Sequence, residues 1–251
     1  MAAKVARQRV DRLLVERGLA PSRERAQAML LAGKVRLAGQ RIDKAGTLVA
    51  ADAELTVAED PCPYVSRGGL KLASVLGPLG VDPAGRVCLD LGASTGGFTD
   101  VLLQRGAERV WAVDVGHHQL HEKIRSDPRV RSHEGVNARL GLREVVTETV
   151  SLVVIDVSFI SLAKVLPAAV EVLSAEGEVL AMVKPQFELG PALVRGGVVR
   201  DDALRARAVD GVAEAAASLG MLEVARVDSA VHGPSGNREI FLHLRRRLDA
   251  G

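Results

Sequence analysis

Cysteine is nearly absent from this 251-residue chain: Cys62 and Cys88 are too few for a disulfide framework or a four-ligand zinc site. Aromatic residues are scarce as well, six in all, with none before Tyr64. No apolar run approaches the roughly 18 residues needed to span a bilayer, and the opening MAAKVARQRVDRLL has no apolar secretory core. Together these absences exclude disulfide-stapled and helical membrane-spanning classes and create the expectation of a cytoplasmic protein. Apolar residues still make up 47% of the chain, enough for a packed core.

The net charge of +2 is small but unevenly spread. Residues 1–44 hold eleven basic and four acidic side chains, a balance of +7 that leaves −5 for the remainder. Such asymmetry points to a basic module aimed at a polyanion, attached to a nearly neutral body. On charge alone, a solvated surface that binds nothing is an equally good reading.

Within the basic module, Val10, Leu13 and Leu14 recur at helical spacing in a segment that stops at Gly18. Ser22 is placed to cap a second helix over RERAQAMLLA, with apolar Ala26, Met29 and Leu30 on one side and Gly33 beyond its end. KVRLAGQRID then alternates apolar and charged residues around an Ala38-Gly39 turn, and ELTVAE supplies a further strand. The run from Arg9 to Val49 resembles the small alpha-L RNA-binding domain of RNA-modifying and ribosome-associated proteins. That resemblance implies RNA contacts by Arg9, Arg23, Arg25, Lys34 and Arg36, with Arg67 joining them from beyond the module. The lack of aromatics in residues 1–59 agrees with reading folded RNA by shape and phosphate, since stacking on splayed bases needs aromatic platforms.

The prolines and glycine pair of DPCPYVSRGG mark a boundary near residue 60. We expect a first domain over 1–59, a linker over 60–66 and a second domain over 67–251. In the second, RVCLDLG, RVWAVDV, VRSHEGV, SLVVIDV, EVLAMVK, LEVARVD and EIFLHL read as seven strands. Helical stretches lie between them at FTDVLLQRG, HHQLHEKIRS, SLAKVLPAAVEVLS and around 202–219. Alternation of this kind predicts an α/β fold with a mostly parallel, doubly covered sheet. The last two strands, with no helix between them, predict a terminal antiparallel hairpin. The pattern resembles the Rossmann-like, seven-stranded class I S-adenosylmethionine-dependent methyltransferases.

The first strand runs into Asp90-Leu91-Gly92-Ala93-Ser94-Thr95-Gly96-Gly97-Phe98. Glycines at a strand-to-helix turn let backbone approach a ligand, and the following helix offers free N–H groups. The loop has neither dinucleotide spacing nor a Walker lysine. Asp114 closes the second strand, 22 residues beyond Gly92, a spacing that suits a ribose diol. By resemblance to the methyltransferase cofactor motif, Asp90, Gly92, Ser94, Thr95, Gly96, Gly97, Phe98, Asp114, Val115, Asn137 and Asp156 would hold S-adenosylmethionine, with Asn137 at the adenine.

Four charged residues remain. Lys71 sits in SRGGLKL, Asp156 ends LVVID, Lys184 ends LAMVK, and Glu239 opens the last strand after GPSGNR. Taken singly, each reads as a strand cap or part of a structural ion pair. Their order resembles the Lys-Asp-Lys-Glu tetrad of FtsJ-like ribose 2′-O-methyltransferases. The flanking words YVSRGGLKL, VVIDVSFISL, VKPQFE, GGVVRD and GPSGNRE resemble the TlyA (hemolysin A) family of rRNA methyltransferases over nearly the whole chain. This implies methylation of a ribose 2′-OH, of cytidine in that family, in small- or large-subunit rRNA. Lys71, Asp156, Lys184 and Glu239 would then be catalytic. A desolvated lysine beside a second cation releases its proton more readily, which suits a weakly acidic hydroxyl. A monomer acting on ribosomal RNA or ribosomal subunits, with no membrane partner, is the expected state.

His117-His118 follow Asp114-Val115-Gly116, where the resembled family has an aromatic-glycine pair. His117 and His121 at i, i+4 beside Glu122 suggest a metal-binding helix face, but no third ligand follows at a telling spacing, and no metal is expected. Three rival functions stand beside the leading one, the third being an RNA-binding module whose methyltransferase domain has lost activity, against which the complete tetrad and glycine loop argue. A base-directed RNA methyltransferase would carry prolines after Asp156, where this chain has Val157-Ser158-Phe159. A pore-forming hemolysin, the sense of the family's older name, would need an apolar or strongly amphipathic segment.

Neutralising Arg23, Arg25, Lys34 and Arg36 together is expected to weaken RNA binding and to flatten its salt dependence, with cofactor affinity unchanged. Titrations over a salt series check this.

Overall fold

The computed structural model describes residues 7–20, 22–58, 62–194, 196–233 and 236–247. The chain divides into two compact units, Met1–Pro63 and Tyr64–Gly251.

In the first unit, β1 (Arg7–Arg9) leads directly into α1 (Val10–Glu16), followed by α2 (Arg23–Leu31). The Ser22 side chain accepts a hydrogen bond from the Arg25 N–H (3.2 Å), the expected cap. Next come β2 (Val35–Leu37), β3 (Gln40–Ile42), β4 (Leu48–Ala50) and β5 (Leu55–Val57). β2 and β3 form an antiparallel hairpin, and Ala38 and Gly39 at φ +44° and +81° make its turn. β5 pairs on the other side of β2, while β1 and β4 form a separate two-stranded ribbon that the sequence pattern did not disclose. The core is Val10, Leu13, Leu14, Ala26, Leu30, Val35, Val49 and Leu55. One charged residue is buried with it. Asp11 has no exposed surface, and its carboxylate accepts from Arg9 (Nε 3.0 Å, Nη2 2.9 Å), Arg23 (3.1 Å) and Gln27 (3.1 Å).

The second unit begins with α3 (Arg67–Leu79), β6 (Val87–Leu91), α4 (Gly97–Gln104), β7 (Arg109–Val113) and α5 (Glu122–Arg125). It continues through β8 (Val130–His133), β9 (Val150–Ile155), α6 (Leu166–Val172), β10 (Leu173–Val183), α7 (Pro185–Glu188), α8 (Asp202–Ala217), β11 (Met221–Asp228) and β12 (Ile240–Arg246). All seven strands join one sheet in the order β11-β12-β10-β9-β6-β7-β8. β12 is antiparallel to both neighbours, and the remaining pairings of this sheet among the described residues are parallel. Both faces of the sheet are covered. Along β9, Val153 and Ile155 enter the core cluster with α6 and α8, whereas Leu152 and Val154 enter the cluster with α3 and α4. A strand buried on both faces must be apolar throughout, which is why SLVVI carries no alternation.

Three expectations need correction. The expected linker 60–66 is split: residues 60 and 61 lie outside the described residues, and Tyr64–Ser66 belong to the second unit, where the Val65 N–H donates to Asp100 (2.9 Å). HHQLHEKIRS is not one helix. The Glu134 carboxylate accepts the N–H groups of His118 (2.9 Å), Gln119 (2.9 Å) and Leu120 (3.3 Å), and His118 stands at φ +55°, so helix is confined to the four residues of α5. His117 and His121 therefore do not share a helix face; His121 caps α5 by accepting from the Lys123 N–H (3.1 Å). SLAKVLPAAVEVLS holds a 3-10 turn at Leu162–Lys164 before the seven-residue α6, and its last residues already belong to β10.

Asp11→Ala is expected to destabilise the first unit by about 2–3 kcal/mol, because four hydrogen bonds to a buried carboxylate are lost at once. Faster amide hydrogen exchange over Val10–Leu31, with exchange in the second unit unchanged, is the measurement.

Candidate active site

The strand order reverses at β6: the chain moves outward through β7 and β8, then returns to β9 on the other side. Ligands in open α/β sheets bind at such a switch point, beyond the carboxyl ends of the strands. Gly92 leaves β6 there at φ +88°, and a β-carbon at this position would collide with the Asp156 carbonyl oxygen. Only glycine permits the two loops to run this close.

Two cavities open at this edge, both within the second unit. One, of about 490 Å³, is lined by Gly92, Ser94, Asp114, Val115, Asn137 and Asp156, with Gln119, Val136 and Ile160 among others. Asp114 is fixed there because its two oxygens accept the N–H groups of Ser94 (2.8 Å) and Gly116 (2.7 Å). Each oxygen keeps a second lone pair for a ligand hydroxyl. Asn137 caps a 3-10 turn by accepting from the Arg139 N–H (3.1 Å). Carboxylate, amide and apolar walls suit a nucleoside: diol on Asp114, ring against Val115, Val136 and Ile160.

The second cavity, of about 610 Å³, collects Lys71, Asp156, Lys184 and Glu239, with Arg67, Thr95, Gly97 and Phe98 on its wall. The antiparallel direction of β12 places Glu239 here, since Ile240 pairs with Val183 at the end of β10, one residue before Lys184. Lys71 forms an ion pair with Glu239, and Lys184 forms one with Asp156 and donates to the Ser158 hydroxyl (2.9 Å). Lys71, Lys184 and Glu239 are 8, 8 and 2% exposed, so these charges are held largely out of water. The lysines are thus separated into two neutral pairs.

Two expected cofactor residues line neither cavity. Gly96, at φ +90°, packs beneath the loop, where a β-carbon would press on Leu120 and Ile124. Asp90 is fully buried; its Oδ2 accepts the Thr99 N–H (2.9 Å) and hydroxyl (2.6 Å), fastening the start of α4, while Oδ1 has no partner. Burial pushes the Asp90 carboxyl up to about 7, assisted by the nearby Asp156 and Asp114 charges and opposed by the Thr99 donors. Of the expected RNA contacts, Arg9, Arg23, Arg25, Lys34 and Arg36 lie in the first unit and Arg67 in the second.

Several residues of the site escaped the sequence reading. Ser158 touches Lys184, and Phe159, 90% exposed at φ +63°, lines both cavities and meets Phe187 at 5.0 Å between ring centroids. Buried Asn237 accepts the Val199 N–H and donates to the Gly197 carbonyl (both 2.9 Å), tying GGVVRD to GPSGNR. Its signal was present in those two words, but nothing in them said that they touch.

Comparison with known proteins decides the family. Residues 64–246 match the FtsJ-like methyltransferase model, and residues 8–55 match the S4 domain model. The 16S/23S rRNA (cytidine-2′-O)-methyltransferase TlyA of Mycobacterium tuberculosis is 50% identical over 97% of this chain and 91% of its own length. The chain belongs to the TlyA family of FtsJ-like methyltransferases. A candidate rRNA methyltransferase of Bacillus subtilis, YqxC, is 42% identical over 95% of this chain and 85% of its own. The structure of a candidate hemolysin from Streptococcus thermophilus superposes with a TM-score of 0.75 at 40% identity, covering 97% of this chain and 90% of that one. Methyltransferase chemistry implies a methyl-donor cofactor. The glycine cradle at Gly92 and the donor set of the smaller cavity fit such a nucleoside.

Asp90 also sets a pH dependence. Its folded-state pKa lies above the unfolded value of ~4, so its stabilising contribution is complete below about pH 4 and is lost as pH rises through about 7. Asp90→Asn is expected to flatten the fall in melting temperature of the cofactor-free protein between pH 5 and pH 8. An undiminished fall would contradict the assignment.

Proposed function

We propose that this chain transfers a methyl group from S-adenosylmethionine to the ribose 2′-hydroxyl of a cytidine in ribosomal RNA. The observation that carries this reading is two ion pairs, the buried Lys71–Glu239 and the partly buried Lys184–Asp156, in one cavity beside a nucleoside-shaped one. Bound in the smaller cavity against Gly92, Asp114 and Asn137, S-adenosylmethionine supplies an electrophilic methyl sulfonium.

The chain's own residues supply the rest. A ribose hydroxyl is a poor nucleophile until its proton has somewhere to go. Lys184 Nζ, held by Asp156 and Ser158, first releases its ammonium proton to solvent and then, as the amine, takes the proton of the ribose hydroxyl. Asp156 then balances the ammonium that results. Lys71, neutralised by Glu239, adds an oriented N–H donor toward charge developing on the oxygen. The exposed ring of Phe159 offers a face for the target base at the mouth of the cavity. In the first unit, Asp11 holds Arg9 and Arg23 in place while leaving both about half exposed, which suits contact with RNA phosphates.

Two rivals fit less well. A base nitrogen with a free lone pair has no need of a lysine proton acceptor. For a pore, no helix among the described residues is long and apolar enough to cross a membrane.

Lys184→Ala and Lys184→Arg are both expected to slow single-turnover methyl transfer by about 10²-fold or more, with cofactor Kd within about threefold of the parent. Arginine keeps the charge but cannot accept a proton at working pH, so an active Lys184→Arg enzyme would refute proton acceptance. Labelled methyl donor and separated unmodified ribosomal subunits, followed by nuclease mapping, locate the product. Label on a base would overturn the reading.

A further inference from the structure

A side chain outside the tetrad joins two of the site's loops. Glu188 ends α7, the short turn that begins just after Lys184, and accepts two hydrogen bonds: from the Ser161 hydroxyl (2.6 Å) and from the Leu162 N–H (2.9 Å). The Ser161 hydroxyl in turn accepts from the Ala163 N–H (3.2 Å). Burial holds the Glu188 carboxyl above its ordinary range, and the two donors oppose that rise.

The segment these bonds anchor is otherwise fixed through side chains, by the packing of Val157 and Ile160 on the core and the Ser158–Lys184 hydrogen bond. Among the described residues, Val157–Ile160 make no backbone–backbone hydrogen bond, and Phe159 lies in the left-handed region that an aromatic residue seldom adopts. A stretch of that kind keeps its shape through its ends and side chains. Its upstream end is fixed by the Asp156 N–H donating to the Leu91 carbonyl (3.0 Å). Its downstream end is fixed by Glu188. Because Glu188 and Lys184 belong to the same turn, the tie at Ser161 sets the whole loop against the Lys184 amine. The Phe159–Phe187 ring contact lies between the two ties and packs the same two segments together.

We propose that Glu188 is a positioning residue: through Ser161 and Leu162 it holds the Asp156–Ile160 loop so that the Asp156 carboxylate and the Ser158 hydroxyl meet Lys184. The inference rests on the reading of Lys184 as proton acceptor.

The test compares the parent with Glu188→Gln, Glu188→Ala and Ser161→Ala. Single-turnover rates are measured from pH 6 to pH 9, with KM for RNA, cofactor Kd by calorimetry and mapping of the product. Glu188→Gln keeps an oxygen for the Leu162 N–H and an amide for the Ser161 hydroxyl, and is expected within about threefold of the parent rate. Glu188→Ala is expected to lose about tenfold or more in rate and to displace the pH profile, with KM for RNA changed by less than about threefold. Ser161→Ala, which removes one bond of the two, should displace the profile in the same direction with a smaller loss. An unchanged profile in Glu188→Ala, or a Glu188→Gln variant as impaired as Glu188→Ala, overturns the proposal. If Glu188→Ala does not fold, a parental pH profile in Ser161→Ala overturns it instead. A parent product methylated on a base refutes the reading of Lys184 and removes the premise. A 2′-O-methylated product beside an undisturbed Glu188→Ala refutes the positioning role alone.

Discussion

The glycine-rich loop after β6 and the end of β9 meet where Gly92 runs against the carbonyl of Asp156. Every other feature of the site inherits its position from that approach. β6 and β9 are adjacent and parallel, so their ends arrive together, but only a residue without a β-carbon lets the two exits touch. Once they touch, Asp156 lines both cavities, and Lys184, one strand further along, is drawn to the same carboxylate. The antiparallel β12 then returns Glu239 to this edge, although it lies 168 residues from its partner Lys71. A donor site and an acceptor site thus share a wall made by a single loop.

Three buried charges and the partly buried Asp156 would be a liability if they were scattered. Transfer of an ion from water costs several kcal/mol even after relaxation, and removal of one partner leaves the other uncompensated. Pairing each lysine with a carboxylate cancels the net charge of the cavity while leaving each ammonium donors that its partner does not occupy. Such pairs add little to stability compared with apolar packing, so their presence at a ligand-lined edge is better explained by chemistry than by folding. Asp11 in the first unit follows the same electrostatics for a different end: one carboxylate without exposed surface organises two half-exposed guanidiniums.

The parts of the fold that composition controls were legible. β6, β7, β9, β10 and β12 lie inside the sheet between strands, and their apolar runs announce them. The three-residue β1 carries no such pattern, and β4 (Leu48-Val49-Ala50) is too short to announce itself; Arg7-Gln8-Arg9 reads as surface because it joins β4 chiefly through its backbone. HHQLHEKIRS has helix-forming composition, yet the carboxylate of Glu134, more than ten residues away in sequence, captures three of its N–H groups. That is tertiary structure overriding local propensity. In the site, Asp156 and Lys184 follow apolar strands and Glu239 precedes one, whereas Lys71 lies in the first turns of α3 and stood out only through the family resemblance of its flanking residues. Asp90 was misjudged: the motif marks it as a ligand, while its position on the α4 face of β6 turns it inward to Thr99.

The shared loop has a consequence for how the two substrates communicate. Val157 and Ile160 face the nucleoside cavity, Asp156, Ser158 and Phe159 face both, and Lys184 reaches the loop from the other cavity. A ligand in the smaller cavity would therefore touch the loop whose Asp156 and Ser158 contact Lys184. Among the described residues Val157–Ile160 make no backbone–backbone hydrogen bond, so the loop keeps its shape through the packing of Val157 and Ile160 on the core and through the ties at Leu91 and Glu188. The left-handed φ of Phe159 fits a segment held in shape by its surroundings. Coupling between the two cavities requires only that ligands in both favour one arrangement of this loop over others.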